Sequence, residues 1–417
     1  MKDMLGREEV LAVDSAREML LKSIGPAGLR ESKEEIDASV DRILSRDIIS
    51  PEDLPGFSRS TMDGFAVSSS DTFGATDGTP AYLNLAGEVF MGEKPAFAVR
   101  KGETAKIATG GMLPDGTDAV VMFEQTHKIN EKLLEVFKPV APGENVIQAG
   151  EDCKKAETVL KKGHKIRPQD IGALAGIGIT EIWIYEKPRV AIISTGDEVV
   201  PASATLKPGQ VRDINSYSLA GLVETHGGTA VKKGIFKDKY EVLDRAFREA
   251  LKDSHIIAVT GGSSVGTRDL TAKVINNAGK PGVLFHGVSV KPGKPTIGGV
   301  IDGKPVFGLP GHPAAIIVSF ELFIKPVMRL LTGETEKIHQ GLKRTVMARL
   351  SKNISSGSGR EDHVRVLLEK KGGQFWAVPI LGKSGLITTL VKADGTVVIP
   401  LRKPGLEQGT EVEVELF

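Results

Sequence analysis

RVAIIST at 189–195, TAVKKGIF at 229–236, HIIAVT at 255–260 and VFGL at 306–309 are short apolar runs of strand type. Helix-like segments alternate with them: SYSLAGLVETHGG at 216–228, KYEVLDRAFREALKD at 239–253, DLTAKVINNAG at 269–279 and PAAIIVSFELFIKPVMRLL at 313–331. Strands that alternate with helices predict a doubly wound α/β domain with a mainly parallel sheet. On either side the texture differs. Beyond Gly333 the chain reads as β from RTVMARL to TEVEVELF, with Gly-Gly, Asp-Gly and Pro-Gly turns, which predicts a small barrel or sandwich. Residues from about 57 to 148, including AYLNLAGEVF, DAVVMF and KLLEVFKPV, read as a small β domain. Residues 8–24 and 33–46 carry apolar residues at helical spacing, and IGALAGIG, preceded by Arg167-Pro168-Gln169-Asp170, predicts a further helix.

Composition narrows the function. With 54 Lys+Arg against 53 Asp+Glu, the net charge of +1 supplies no global field for nucleic acid or an anionic membrane. Aromatic residues at 5% also argue against a stacking platform for single strands. The single cysteine, Cys153, excludes intramolecular disulfides and thiolate-rich metal sites. The eight histidines form no HxH or HxxxH pair, which disfavours a histidine-based zinc site. MKDMLGREEV has no apolar core of a secretory signal, and no run approaches 18 apolar residues. The expectation is a soluble, cytoplasmic, multi-domain protein.

In an open α/β sheet, ligands bind beyond the carboxyl ends of the strands. Three loops follow such ends: Ser194-Thr195-Gly196-Asp197-Glu198, the run from Thr260 through Gly261, Gly262 and Ser264 to Asp269, and Gly308-Leu309-Pro310-Gly311-His312-Pro313. Glycines let main-chain N–H groups approach an anion. Asp197, Glu198 and Asp269 would repel that anion unless a cation lies between, and oxygen ligands without His or Cys suit Mg²⁺. Lys291 and Lys294 of VSVKPGKPT are candidate counter-charges. Each loop also has a plainer reading: a turn, an N-cap at Asp269, or a rigid exposed KPGKP turn. Gly262-Ser263-Ser264-Val265-Gly266 fits the GxSxG elbow of α/β-hydrolases, with Asp302 and His312 following in order. Against it, a helix starting directly at the nucleophile is not expected here, since Gly266 and Asp269 delay it.

LPGFSRSTMDGFAV at 54–67, GEDCKKAETVLKKG at 150–163, STGDEVV, GGSSVGTRD, KPGKP and GLPGHPAA occur in an order and spacing that resembles the molybdopterin molybdenumtransferases, the MoeA family, which includes the gephyrin E domain. The resemblance covers essentially the full chain. It implies an N-terminal helical domain of residues 1–50 whose helices pair with the return segment 149–185. It also implies a β domain over 51–148, an α/β molybdopterin-binding domain over 186–333 similar to the adenylylating MoaB/MogA enzymes, and a C-terminal β-barrel over 334–417. It implies a homodimer that takes molybdate and adenylylated molybdopterin, releases AMP and requires Mg²⁺, with possible contact to the molybdopterin adenylyltransferase.

By the same resemblance, Asp63, Thr109, Asp152, Glu198 and Asp269 match catalytic positions, and Asp197, Glu198 and Asp269 a metal site. Ser264, Lys291, Lys294, Pro310 and Pro313 match substrate-binding positions, Asp238 falls near another acidic one, and the reading of the residues themselves adds Gly196, Gly261, Gly262 and His312 as candidate substrate-binding residues. The chain departs from the pattern at His312, where Asn is usual, at Ala314-Ala315, where Ser often closes the motif, and at Ser263, where Val is usual. An imidazole gains positive charge below about pH 6.5. The His312 departure therefore leaves molybdate and tungstate both open as the oxyanion, and a tungstate-preferring form of the same reaction is the alternative. A serine hydrolase using Ser264 is the more distant one.

Overall fold

The computed structural model describes residues 10–25, 29–261, 265–334 and 344–417, with residues 265–269 described in the backbone only. The α/β domain is built on a six-stranded sheet ordered Thr229–Phe236, Arg189–Thr195, Ile256–Gly261, Lys304–Leu309, Ile297–Ile301 and Pro281–His286. The first four strands are parallel. Successive side chains point to opposite faces, so Val190 and Ile192 enter one core while Ala191 and Ile193 enter the other. The first core receives Leu219 and Val223 of helix Asn215–Thr225 and the apolar face of Pro313–Thr332. The second receives Leu243 and Phe247 of helix Tyr240–Asp253, with Val274 and Ile275 of helix Val265–Ala278. Burial on both faces explains why these strands read as unbroken apolar runs.

Two strands escape the sequence reading. Ile297–Ile301 pairs antiparallel with Lys304–Leu309 across an Asp302-Gly303 turn with positive φ at both residues, and Pro281–His286 pairs antiparallel with Ile297–Ile301. The glycine pair at 298–299 hides the first of them. A Cβ on Gly298 would lie 2.2 Å from the Phe285 ring, so the glycine is what lets Phe285 lie flat on the strand.

The helix expected over 33–46 is absent. Glu31–Glu35 is instead a strand paired antiparallel with Glu181–Tyr185, followed by one 3₁₀ turn at Ile36–Ala38. Ile43, Leu44 and Ser45 are buried in succession while Val40 is exposed, a pattern no amphipathic helix satisfies. The extended path still buries Ile36, Leu44 and Ile48 against Ile182, Ile184 and Leu174. The helix at Val13–Ser23 is present, but its Val13, Ala16 and Leu20 join the α/β core rather than the return segment. Among the described residues, it is the extended part, residues 31–50, that pairs with that segment.

The β domain holds a six-stranded sheet ordered Ala119–Met122, Gly64–Val67, Glu103–Ile107, Ala81–Glu88, Leu133–Val136 and Thr126–Asn130. The C-terminal strands close into a five-stranded barrel, from Glu361–Lys371 through Gln374–Pro379, Thr345–Leu350, Glu411–Leu416 and Gly395–Ile399 back to Glu361–Lys371. Closure removes the free edges. Its interior is Ala348, Leu350, Val366, Ala377, Val397 and neighbours. Among the described residues no helix is long and apolar enough to cross a membrane.

Helix Pro168–Gly176 is anchored by Asp170, only 4% exposed. Its carboxylate accepts the Arg167 main-chain N–H at 2.8 Å, Arg167 Nη2 at 2.9 Å and His164 Nε2 at 2.7 Å. Burial opposes its ionisation, yet the Arg167 and His164 contacts outweigh burial and bring the group down to about 2. The folded-state value lies below the unfolded one, so the stabilisation is complete above about pH 4 and is lost as pH falls towards 2. Asp170→Asn should lower unfolding free energy by about 2 kcal/mol at pH 7. In urea titrations the deficit should shrink as pH drops from 4 towards 2; a deficit that does not change over that range refutes the assignment.

Candidate functional site

Parallel register levels the carboxyl ends of the strands. Thr195 lies beside Gly261, and Thr260 beside Leu309. The loops at 196–198 and 310–313 therefore emerge on one rim, together with the chain leaving Gly261. The strand Pro281–His286, antiparallel to an antiparallel strand, runs in the same sense as the central four, so the KPGKP turn emerges there too. Asn215 Nδ2 donates to the Gly311 carbonyl at 2.9 Å and ties the first helix to the last loop. Beneath the rim, buried Asp213 accepts from Ser194 Oγ at 2.7 Å and from the Ser216 N–H at 3.0 Å, which fixes the start of that helix.

The two carboxylates of the STGDE loop differ in setting. Glu198 folds back so that Oε2 lies 3.0 Å from where a Gly196 Cβ would be. Asp197 is exposed, its carbonyl accepting Lys237 Nζ at 2.9 Å and its Oδ1 3.8 Å from the same ammonium.

Lys291, Lys294, Pro310 and His312 line a cleft of about 1520 Å³ between the rim and the C-terminal barrel. Pro313 opens the helix that follows. The barrel docks through parallel pairing of Val290–Lys291 with Glu361–Asp362. Lys291 Nζ donates to buried Asp362 at 2.8 Å, and Ser356 Oγ donates to the same carboxylate at 3.2 Å. The barrel contributes Arg360, Arg365, Lys383 and Ser384 to the cleft, none of which the sequence reading singled out. Arg360 Nε and Arg365 Nη1 are buried without a hydrogen-bond acceptor, and a guanidinium can only donate. Burial holds Arg365 below the usual arginine range. A polar REDH run at 360–363 inside a β pattern was the available signal. Its partners lie some seventy residues away in sequence, so spacing alone could not connect them.

Asp63 and Thr109 meet in the β domain. The Asp63 carboxylate accepts the Thr109 N–H at 2.7 Å and Thr109 Oγ1 at 2.9 Å. The main-chain bond first, then the hydroxyl, hold Asp63 below the ordinary carboxylate range. Asp152 lies in the turn after Gly150, its N–H donating to the Leu54 carbonyl at 3.1 Å. Among the described residues, neither a hydrogen bond nor an ion pair joins these three residues to the rim.

Gly262, Ser264 and the side chain of Asp269 lie outside the described residues. The backbone of helix Val265–Ala278 nevertheless begins at Val265, directly after Ser264. The objection that the helix is delayed is thus corrected, and so is the reading of Asp269 as its N-cap, since Asp269 lies inside the helix. The hydrolase triad fails for another reason. Asp302 sits in the hairpin turn before strand Lys304–Leu309 and His312 beyond its far end, so six residues at about 3.3 Å each separate them. Among the described residues no three His, Cys, Asp or Glu side chains are grouped to hold a metal.

Residues 11–178 match the MoeA N-terminal region (domain I and II), 191–330 a probable molybdopterin binding domain, and 347–417 the MoeA C-terminal region (domain IV). A putative molybdopterin biosynthesis protein of Methanocaldococcus jannaschii is 39% identical over 391 residues, 92% of this chain and 91% of that one. A molybdopterin molybdenumtransferase of Staphylococcus aureus is 34% identical over 385 residues, 91% of this chain and 90% of that one. The crystal structure of a molybdopterin biosynthesis moeA protein from Pyrococcus horikoshii superposes with a TM-score of 0.83 at 31% identity, covering 98% of this chain and all of that one.

Rim geometry depends on Gly261. Its φ is 137°, and a Cβ there would lie 2.1 Å from the Thr195 carbonyl oxygen. Gly261→Ala should cost about 2–4 kcal/mol in chemical denaturation, because the adjacent strand ends must part. A loss under about 0.5 kcal/mol would show that the rim tolerates that separation.

Proposed function

The chain belongs to the MoeA family, and on that premise we propose that it transfers molybdenum from molybdate into adenylylated molybdopterin and releases AMP. The protein is a transferase of molybdenum cofactor biosynthesis. The finer reading rests on one observation: a large cleft walled by lysine and arginine donors lies on the same rim as a glycine-bounded loop bearing Asp197 and Glu198. Molybdate and a pyrophosphate linkage are both anions. Lys291, Lys294, Arg360 and Arg365 supply donors for them. Tungstate has the same tetrahedral oxyanion chemistry, so this donor set accepts it too.

The carboxylates on the rim argue for a cation between protein and phosphates. Asp197 and Glu198, with Asp269 of the helix Val265–Ala278, offer only oxygen donors, as Mg²⁺ requires. Mg²⁺ binds through one or two carboxylates, with the rest of its shell from substrate phosphates and water. Bound there, it would neutralise charge on the phosphoanhydride. Glu198 would orient the ion or a water, and the lysines would hold the oxyanion.

Asp63, Thr109 and Asp152 sit in another domain, which supports a two-fold homodimer whose β domain completes the partner's rim. A direct hand-over of substrate from the adenylyltransferase is compatible with the open cleft.

Glu198→Gln keeps the shape and removes the charge. It should leave the fold intact and cut Mg²⁺-dependent AMP release by at least about tenfold, or 1.4 kcal/mol in barrier. Turnover unchanged at saturating Mg²⁺ removes Glu198 from the mechanism. Mixing Asp63→Asn and Glu198→Gln chains should restore part of the activity, because one hybrid site carries neither change. If subunit exchange is proven and activity does not return, the sites are built within single chains.

A further inference from the structure

His312 contacts the barrel. Its Nδ1 is 2.8 Å from Ser384 Oγ, and the Ser384 carbonyl accepts the Ala314 N–H at 3.2 Å. The opposite edge of the ring lies over Gly385, with Cδ2 3.7 Å from where a Cβ would be. Both His312 and Ser384 line the cleft. The histidine is therefore no mere filler of the turn between Gly311 and Pro313: it clasps the loop at 382–386.

The chemistry of that pair depends on one proton. A neutral imidazole can accept at Nδ1, and the Ser384 hydroxyl then donates to it and turns lone pairs to the cleft. An imidazolium donates at both nitrogens, so Ser384 Oγ must accept and its own O–H is released towards the cleft. We propose that His312 is a positioning and specificity residue that sets whether Ser384 offers a donor or an acceptor to the oxyanion, and so makes oxyanion capture stronger at low pH. This rests on the oxyanion reading of the cleft given above.

Other charges face the pair. Lys291 and Lys294 project from the rim, and Arg360, Arg365 and Lys383 from the barrel. Lysine and arginine side chains in general do not titrate between pH 6 and 8, so a slope over that range points to an imidazole. Asp362 is committed to Lys291. The second imidazole of the cleft, His363, has Nε2 2.7 Å from Glu361 Oε1 and is largely buried, which makes it the control.

The test titrates molybdate and tungstate separately into the full-length protein at pH 6, 7 and 8. Wild type should bind about fivefold more tightly at pH 6 than at pH 8, the order expected for one gained charge-assisted network. His312→Asn and Ser384→Ala should each flatten the profile, while His363→Gln should keep it. A sloped profile in His312→Asn overturns the proposal. So does a slope kept in Ser384→Ala, because His312 then acts without the serine. Imidazole NMR of the ligand-free protein gives an independent readout: the His312 resonances should shift in Ser384→Ala, and unchanged resonances refute the pairing. Failure to release AMP while pH-dependent oxyanion binding persists sinks only the catalytic reading, whereas absent oxyanion binding in wild type sinks this one.

Discussion

Everything at the site hangs on strand ends being level. Parallel pairing places Thr195 beside Gly261 and Thr260 beside Leu309, and Thr195, Gly261 and Leu309 are the last residues of their strands. That alignment requires main chains to touch where a Cβ would collide, and both faces of the sheet to be covered. The two cores supply the cover and Gly261 the contact. The rim is thus a product of packing below it, and the loops inherit their positions from the sheet.

The barrel adds a second wall. Its docking is part main chain, through Val290–Lys291 on Glu361–Asp362, and part charge, through Lys291 on a buried carboxylate. Asp362 is buried while Lys291 is half exposed, and leaving that buried carboxylate without its partner is costly, so the pair punishes misalignment. Here the register it enforces is that of a lysine at the mouth of the cleft.

The sequence was most informative where periodicity and burial agree. The four central strands read as apolar runs, and helix-like segments alternate with them. Reading failed where a neighbour in space decided the outcome. Residues 33–46 have helical spacing, yet a waiting strand at Glu181–Tyr185 draws Glu31–Glu35 into a ladder. Ile297–Ile301 was obscured by two glycines: Gly298 admits Phe285, and Gly299 abuts the Gly282 carbonyl. At the site, the rim loops were visible because glycine-rich runs follow strands. Arg360, Arg365 and Ser384 were not, since no local pattern tells a barrel residue which cleft it will line.

The shared ladder between Val290–Lys291 and Glu361–Asp362 also bears on modularity. The α/β domain and the barrel look separable by sequence, each with its own core, yet they hold one strand contact and one charge in common. A chimera that exchanges only the barrel inherits a foreign partner for Lys291 and an ill-fitting edge at residues 290–291. Recombination between relatives should respect a seam that joins 288–295 with 354–365, two stretches that a linear domain boundary would assign to different parents.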